Sequence, residues 1–169
     1  LGAAAAANAA PQAELSPPKV LSAENAFAEA ADIAVRDDGS AVAVWTQTKN
    51  GAGPATVQVA LQDSAGRWGQ PTTLSESTSN AQRPAVATNG HDVAVTWEQG
   101  SAKGSRIMVT EFDGTWAKPQ LISSSGATNP ELVVNAKGTT SVTWLHNSKN
   151  APTSVEFAQE TTAGKFRIQ

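Results

Sequence analysis

Residues 41–47 read AVAVWTQ, and apolar positions alternate along them. Val42 and Val44 fall on one face, and Ala41, Ala43 and Trp45 fall on the other. Successive side chains of a strand point to opposite faces, so a period of two predicts an extended strand. The same pattern returns as VAVTWEQ at 93–99 and as SVTWLHN at 141–147, each time carrying Trp near its end.

Three further series run in step with these strands. Gly39, Gly90 and Gly138 precede the three Trp strands, in RDDGS, TNGHD and NAKGT. Trp68, Trp116 and Phe166 follow them, in AGRWGQP, DGTWAKP and AGKFRIQ. A Pro-x-x-hydrophobic-Ser segment occurs at 18–22 (PKVLS), 71–75 (PTTLS) and 119–123 (PQLIS). Every series steps by 47 to 53 residues, in constant order. The chain is therefore a tandem repeat, with units of about 18–70, 71–118 and 119–169.

Each unit predicts four short strands. The first is DIAV (32–35), PAVAT (84–88) or ELVVN (131–135). A Gly turn follows, where positive φ is required. The second is the Trp strand. The third is TVQVALQ, RIMVTEF or SVEFAQE. A second Gly turn leads to the fourth, which opens at the second aromatic residue and ends in Leu/Ile-Ser. Val/Thr/Trp enrichment and period-two alternation exclude a helical repeat. Four strands in roughly 50 residues, repeated, is the blade of an all-β β-propeller. The predicted fold is three four-stranded antiparallel blades, part of a ring that would have six blades if a second copy or further chain completed it.

The reason for the repeated Trp is then packing: a large flat side chain fills the wedge between twisted sheets. Trp45, Trp97 and Trp144 are expected to be structural. Trp68 and Trp116 stand beside turns, with Arg67 next to the first. They are the candidate ligand-binding residues, as aromatic platforms for a sugar ring.

The stretch GSAVAVWTQ…VQVALQDSAGRWGQPTTLS resembles the sialidase-like, Asp-box-bearing propeller repeats of secreted bacterial proteins, over residues 17–169. The Asp-box of that family is a Ser-x-Asp-x-Gly-x-Thr-Trp hairpin between third and fourth strands. Asp63, Gly66 and Trp68, and Asp113, Gly114 and Trp116, are similar to shortened or shifted versions of it. The third unit keeps only Gly164 and Phe166. The resemblance implies that Asp63 and Asp113 stabilise turns by accepting backbone N–H bonds, and that neither is catalytic.

Composition narrows the function. The chain is 40% hydrophobic and 16% charged, with a formal net charge of −3. That balance disfavours nucleic acid and anionic membrane surfaces as partners. There is no Cys, hence no disulfide and no thiolate metal site. No apolar run is long enough to insert in a membrane. Residues 1–16, within the Ala-rich LGAAAAANAAPQAELSPP, lack alternation and resemble the tail of a secretory signal peptide running into a Pro linker. A plain Ala/Pro linker or a short Ala-rich helix is the alternative. The expected location is secreted or extracellular.

Catalytic chemistry is weighed mostly against. The chain contains no Tyr, so a sialidase-type nucleophile is missing. The acids are scattered, with Asp37 and Asp38 in a turn and Glu98 and Glu111 on or beside strands. They read as solvated or turn-capping groups rather than as a glycosidase pair. His91 and His146 occupy unmatched positions, so no metal site and no cofactor are expected. The chain opens on a fourth-strand ending, PPKVLS, and closes on GKFRIQ, which lacks that ending, so the seam is expected to fall inside one blade. The reading that follows is a recognition or scaffolding module. Its partner is a carbohydrate, a cell-surface ligand or a second copy of itself. The alternatives are a non-catalytic fragment of a larger sialidase-like glycoside hydrolase and a self-assembling structural protein.

Overall fold

The computed structural model describes residues 16–149, 151–161 and 164–168. The expectation that the leader adds no strand falls on residues 1–15, outside the described residues. Among the described residues there are twelve strands and no helix.

Three four-stranded antiparallel sheets follow one another along the chain. The first holds β1 (Ala26–Val35), β2 (Ala41–Lys49), β3 (Thr56–Gln62) and β4 (Thr72–Thr73), in that order. The second repeats the order with β5 (Ala81–Thr88), β6 (Val93–Gln99), β7 (Arg106–Phe112) and β8 (Gln120–Leu121). The third holds β9 (Ala127–Val134), β10 (Thr140–His146), β11 (Ser154–Glu160) and β12 (Phe166–Ile168). The Pro-x-x-Leu/Ile-Ser segments at 71–75 and 119–123 close the sheet before them, since β4 pairs with β3 and β8 with β7. Residues 18–22 form no strand, although Leu21 packs on the first sheet.

The outer strand is shorter than its sequence suggests. Trp68 and Trp116 make isolated bridges to Gln62 and Phe112, and regular pairing resumes only at the two-residue strands β4 and β8. The first strand is longer. β1, β5 and β9 begin before the alternation becomes visible, because each contains a register slip. The slips fall between Glu29 and Asp32 in β1 and between Gln82 and Ala85 in β5. In β9 the slip lies opposite Thr143 and Leu145 of β10. Extra residues in a strand break the period of two, and the pattern before the slip is lost.

The core lies between sheets, not within one. Val42, Val44, Val57 and Val59 of the first sheet meet Ala81, Val86, Val93, Val95 and Trp97 of the second. Ile107, Val109 and Ile122 of the second meet Ala127, Val142, Trp144 and Ala158 of the third. Trp97 and Trp144 thus face the preceding sheet, and Trp97 is 1% exposed. Its indole N–H donates to Gln99 Oε1 at 3.1 Å, as that of Trp45 does to Gln47 Oε1 at 3.3 Å. A buried indole needs such an acceptor. In the third sheet His146 stands at the Gln position, and Glu156 Oε2 accepts the Trp144 indole instead, at 2.8 Å. Glu156 Oε1 also lies 2.8 Å from His146 Nδ1.

Candidate functional site

The sheets converge at β1, β5 and β9, with β5 between the other two. Each of these strands carries one non-Gly residue in the left-handed region, at its slip: Ala30 (φ 50), Arg83 (φ 49) and Asn129 (φ 54). Such residues are uncommon, and they persist only where surrounding structure holds them. Three at one repeat position form a built feature. Pro84 and Pro130 follow two of them, and a bulge is where a strand tolerates a residue without an N–H.

The bulges open one groove of about 500 Å³, lined by Asp32, Arg83, Asn129 and Glu131 among others. Its polar groups are held from beneath. Glu98 is fully buried, which overturns the expectation of a solvated acid. Its Oε1 accepts from Arg83 Nη1 at 2.9 Å and from the Asn129 amide at 2.7 Å, while Oε2 accepts from Gln82 Nε2 at 3.0 Å. Three donors compensate the carboxylate for its lost water. The bond to Asn129 also ties the second sheet to the third. Asp32 plays the matching role for the first and second sheets. Its Oδ1 accepts from Ile33 N and its Oδ2 from Val86 N, the latter across the sheet boundary, at 2.8 and 2.9 Å.

Glu98 therefore fixes one edge of the Arg83 guanidinium, while about half of that side chain stays open to solvent at the groove. The groove offers donors from Arg83 and Asn129 and acceptors from Glu131 and Asp32. That combination suits a polyhydroxylated ligand, whose hydroxyls both donate and accept.

A second concavity, about 380 Å³, lies at the opposite ends of the strands between the second and third sheets. Asp92, Glu111 and Glu160 line it. Burial pushes the Glu111 carboxyl above its usual range; Glu160 and Asp92 add to this, and the Thr140 hydroxyl, donating to Glu111 Oε1 at 2.6 Å, opposes it. Among the described residues no three His, Asp or Glu side chains gather as a metal site.

The residues proposed from sequence sit elsewhere. Trp68 is half-buried and packs on the cluster of Ala43, Trp45 and Ala60. Trp116 packs on the core between first and second sheets and against Phe112, ring centres 5.0 Å apart. Arg67 is exposed and ion-paired with Asp63 at 2.8 Å. Asp63 Oδ1 accepts from the Arg67 and Ala65 amides, and these bonds, with the Arg67 side chain, hold its carboxyl below the usual range. Asp113 lies in the matching turn, its N–H donating to Thr115 O at 3.1 Å. The structure does not gather Trp68, Trp116 and Arg67 into one site, because the two Trp belong to different sheets. The groove residues went unnamed in sequence. The available signal was a Pro inside two first strands, preceded by a polar residue, 13 or 14 positions before the Trp.

The chain matches no protein-family model and no curated protein. It does resemble solved structures. A family 117 glycoside hydrolase of the marine bacterium Zobellia galactanivorans superposes with a TM-score of 0.57 at 10% identity, over 86% of this chain and 56% of that one. A glycoside hydrolase described as putative, from Parabacteroides distasonis, gives 0.55 at 13%, over 84% and 50%. A polysaccharide lyase of family PL25, an ulvan lyase, gives 0.57 at 10%, over 84% and 43%. The chain spans about half the length of these proteins. At such identity the likeness shows the fold alone, which is β-propeller-like.

Proposed function

We infer that this chain is a carbohydrate-recognising segment of a secreted β-propeller, with its ligand seated in the groove at β1, β5 and β9. One observation carries the reading. Three repeat-equivalent left-handed residues open a single groove, and a fully buried Glu98 holds Arg83 at its wall. Strained backbone and a supported, half-exposed guanidinium are features of a binding surface more than of a packing one. The carbohydrate-active solved structures with the same fold support the choice of ligand class. The Asp63 turn, with its carboxylate bonded to two amides, supports kinship with Asp-box repeats.

Recognition fits this region of the molecule better than hydrolysis. A glycosidase needs two carboxylates flanking the bond, one of them able to donate a proton. Beneath the groove Glu98 is committed to three donors, and at its wall Asp32 is committed to two amides. Glu131 alone among the described acids lines the groove without such ties. Hydrolysis at this groove would need a second free acid that its lining does not supply.

The test is a calorimetric titration with a panel of neutral and uronate-containing oligosaccharides, run on the native chain and on Arg83→Ala. Binding to at least one class, weakened tenfold or more by Arg83→Ala and unchanged by Arg67→Ala, is the expected result. Binding that survives Arg83→Ala and fails in Trp116→Ala moves the site to the aromatic turns.

A further inference from the structure

Three positions of the repeat stand around each Trp strand. One directly follows the Pro-x-x-hydrophobic-Ser segment, one lies two residues past the Trp, and one opposes the Trp in the next strand. In the first repeat they are Ala23, Gln47 and Gln58. In the second they are Glu76, Gln99 and Met108. In the third they become Ser124, His146 and Glu156. Packing does not call for that change, because Gln at the middle position already accepts the buried indole N–H in the other two repeats. Three departures from the pattern fall in one repeat, and they meet in space.

They meet between the second and third sheets. The Glu156 carboxylate is held by the Trp144 indole through Oε2, and its Oε1 lies 2.8 Å from His146 Nδ1. An acceptor on Nδ1 places the ring proton there and leaves Nε2 as the accepting nitrogen. Ser124 Oγ lies 3.5 Å from Nε2. That is long for a hydrogen bond, as nucleophile–base contacts without substrate often are. The adjacent hydroxyls are committed elsewhere: Ser123 Oγ donates to Ser124 O at 2.9 Å, and Ser125 Oγ donates to Lys103 O. Ser124 presents its hydroxyl to the ring and is itself exposed. The turn that carries it is built for close approach. Gly126 has φ +96°, and a Cβ there would stand 2.6 Å from Asn147 O and 3.6 Å from His146 Nε2. Gly126 N donates to Ser105 O at 2.9 Å, and Asn147 N donates to Gly126 O at 3.0 Å, which ties the turn to both sheets.

We propose that Ser124, His146 and Glu156 are a nucleophile, base and orienting acid that hydrolyse short acyl esters. Ser124 Oγ bonds to the acyl carbon, and its proton passes to His146 Nε2. The bond from that carbon to the alcohol oxygen breaks, and the departing oxygen takes the proton from Nε2. A water then gives a proton to Nε2 and attacks the acyl-Ser124 bond. The carboxylic acid leaves, and Ser124 Oγ recovers its proton. The imidazolium formed at each stage meets an acceptor on both nitrogens, Glu156 Oε1 on Nδ1 and Ser125 O at 3.2 Å from Nε2. Glu156 touches no substrate; it is a positioning residue that fixes the ring and its tautomer. The turn around Ser124 is made of Ser and Gly, so an acetyl-sized group suits it better than a long apolar chain.

The experiment treats the 169-residue chain with a fluorophosphonate, maps the label by peptide mass spectrometry, and follows hydrolysis of p-nitrophenyl acetate beside it. The label is expected on Ser124 and not on Ser123 or Ser125. Three variants accompany the native chain: Ser124→Ala, His146→Gln and Glu156→Gln. Each installs the residue that the first repeat carries at that position, and circular dichroism verifies that strand content is kept. Ser124→Ala and His146→Gln are each expected to slow hydrolysis by about a hundredfold or more. Glu156→Gln is expected to lower kcat and leave KM unchanged, a split that loss of packing alone does not produce. A native chain that takes no label at Ser124 overturns the proposal, whatever the variants do. So does labelling and hydrolysis that persist at the native rate in His146→Gln.

Discussion

Arg83 and Glu98 form an ion pair whose two members live in different surroundings. Nη1 and Oε1 are 2.9 Å apart, with the carboxylate fully buried and the guanidinium half in water. The pair links the groove wall to the strand beneath it, and Glu98 passes the link on to the third sheet through the Asn129 amide. Glu98→Gln should cost about 2 kcal/mol, the scale for hydrogen bonds to a charged group. Arg83→Ala should cost about 1 kcal/mol, since half of that side chain is already screened by water. Urea denaturation of both variants checks the order. Equal costs would mean that Glu98 is not the anchor.

Turn-to-turn contacts along the opposite ends of the strands give a sharper steric test. A Cβ placed on Gly90 would collide with the Asp37 carboxylate, and φ there is +97°. Gly39 stands at the same repeat position with φ +79° and open space around it. Gly39→Ala should therefore cost about 1 kcal/mol, from backbone strain alone. Gly90→Ala should cost more, and removing the carboxylate with Asp37→Ala should recover some of the excess. A double-mutant cycle measures that recovery. Strictly additive costs would show that Asp37 moves aside freely.

Trp97 and Trp116 separate core from surface. Trp97 is buried between two sheets, so Trp97→Ala should cost about 3–5 kcal/mol, the range for large aromatic truncations in cores. Trp116 is half-buried against Phe112, and its loss should cost clearly less. Thermal melts of the two variants decide the order, and a larger loss at Trp116 would contradict the inter-sheet core described above.

How much of this was legible in the sequence differs by element. The Trp strands alternate without interruption, so β2, β6 and β10 could be read along with the faces they present. The first strands could be read only from Asp32, Pro84 and Glu131 onward, because the bulges at Ala30, Arg83 and Asn129 break the period. The groove was lost with them. Its residues become neighbours only when three sheets converge, and no single repeat contains them. Glu98 misled for a related reason. On one strand it reads as a polar residue following a Trp, and its burial depends on Arg83 from the adjacent strand and Asn129 from the next sheet. The Trp-x-Gln spacing at 45–47 and 97–99, by contrast, did carry the indole bond, although its meaning shows only in the folded chain.

Glu111 makes stability depend on pH. Burial raises its carboxyl above the usual range, so the folded chain binds a proton more tightly there than the unfolded chain does. Stability is then fully present below the ordinary glutamate range and falls as pH rises through the raised value. Glu111→Gln should flatten that fall, making the variant more stable than the native chain at neutral pH. Melting temperatures across the acidic range read this out. A native chain whose stability rises through the same window, with the variant parallel to it, would assign the dependence to other acids.

Seating of the ligand in the groove of β1, β5 and β9, and not on the aromatic turns, is tested most directly by amide chemical-shift mapping. The native chain is titrated with an oligosaccharide for which calorimetry detects binding. Shifts are expected to concentrate at Ala30, Ala31, Arg83, Asn129 and Glu131, with the Trp68 and Trp116 indole signals unmoved. Shifts centred on Trp68 or Trp116, with the bulge amides silent, would contradict a ligand in the groove.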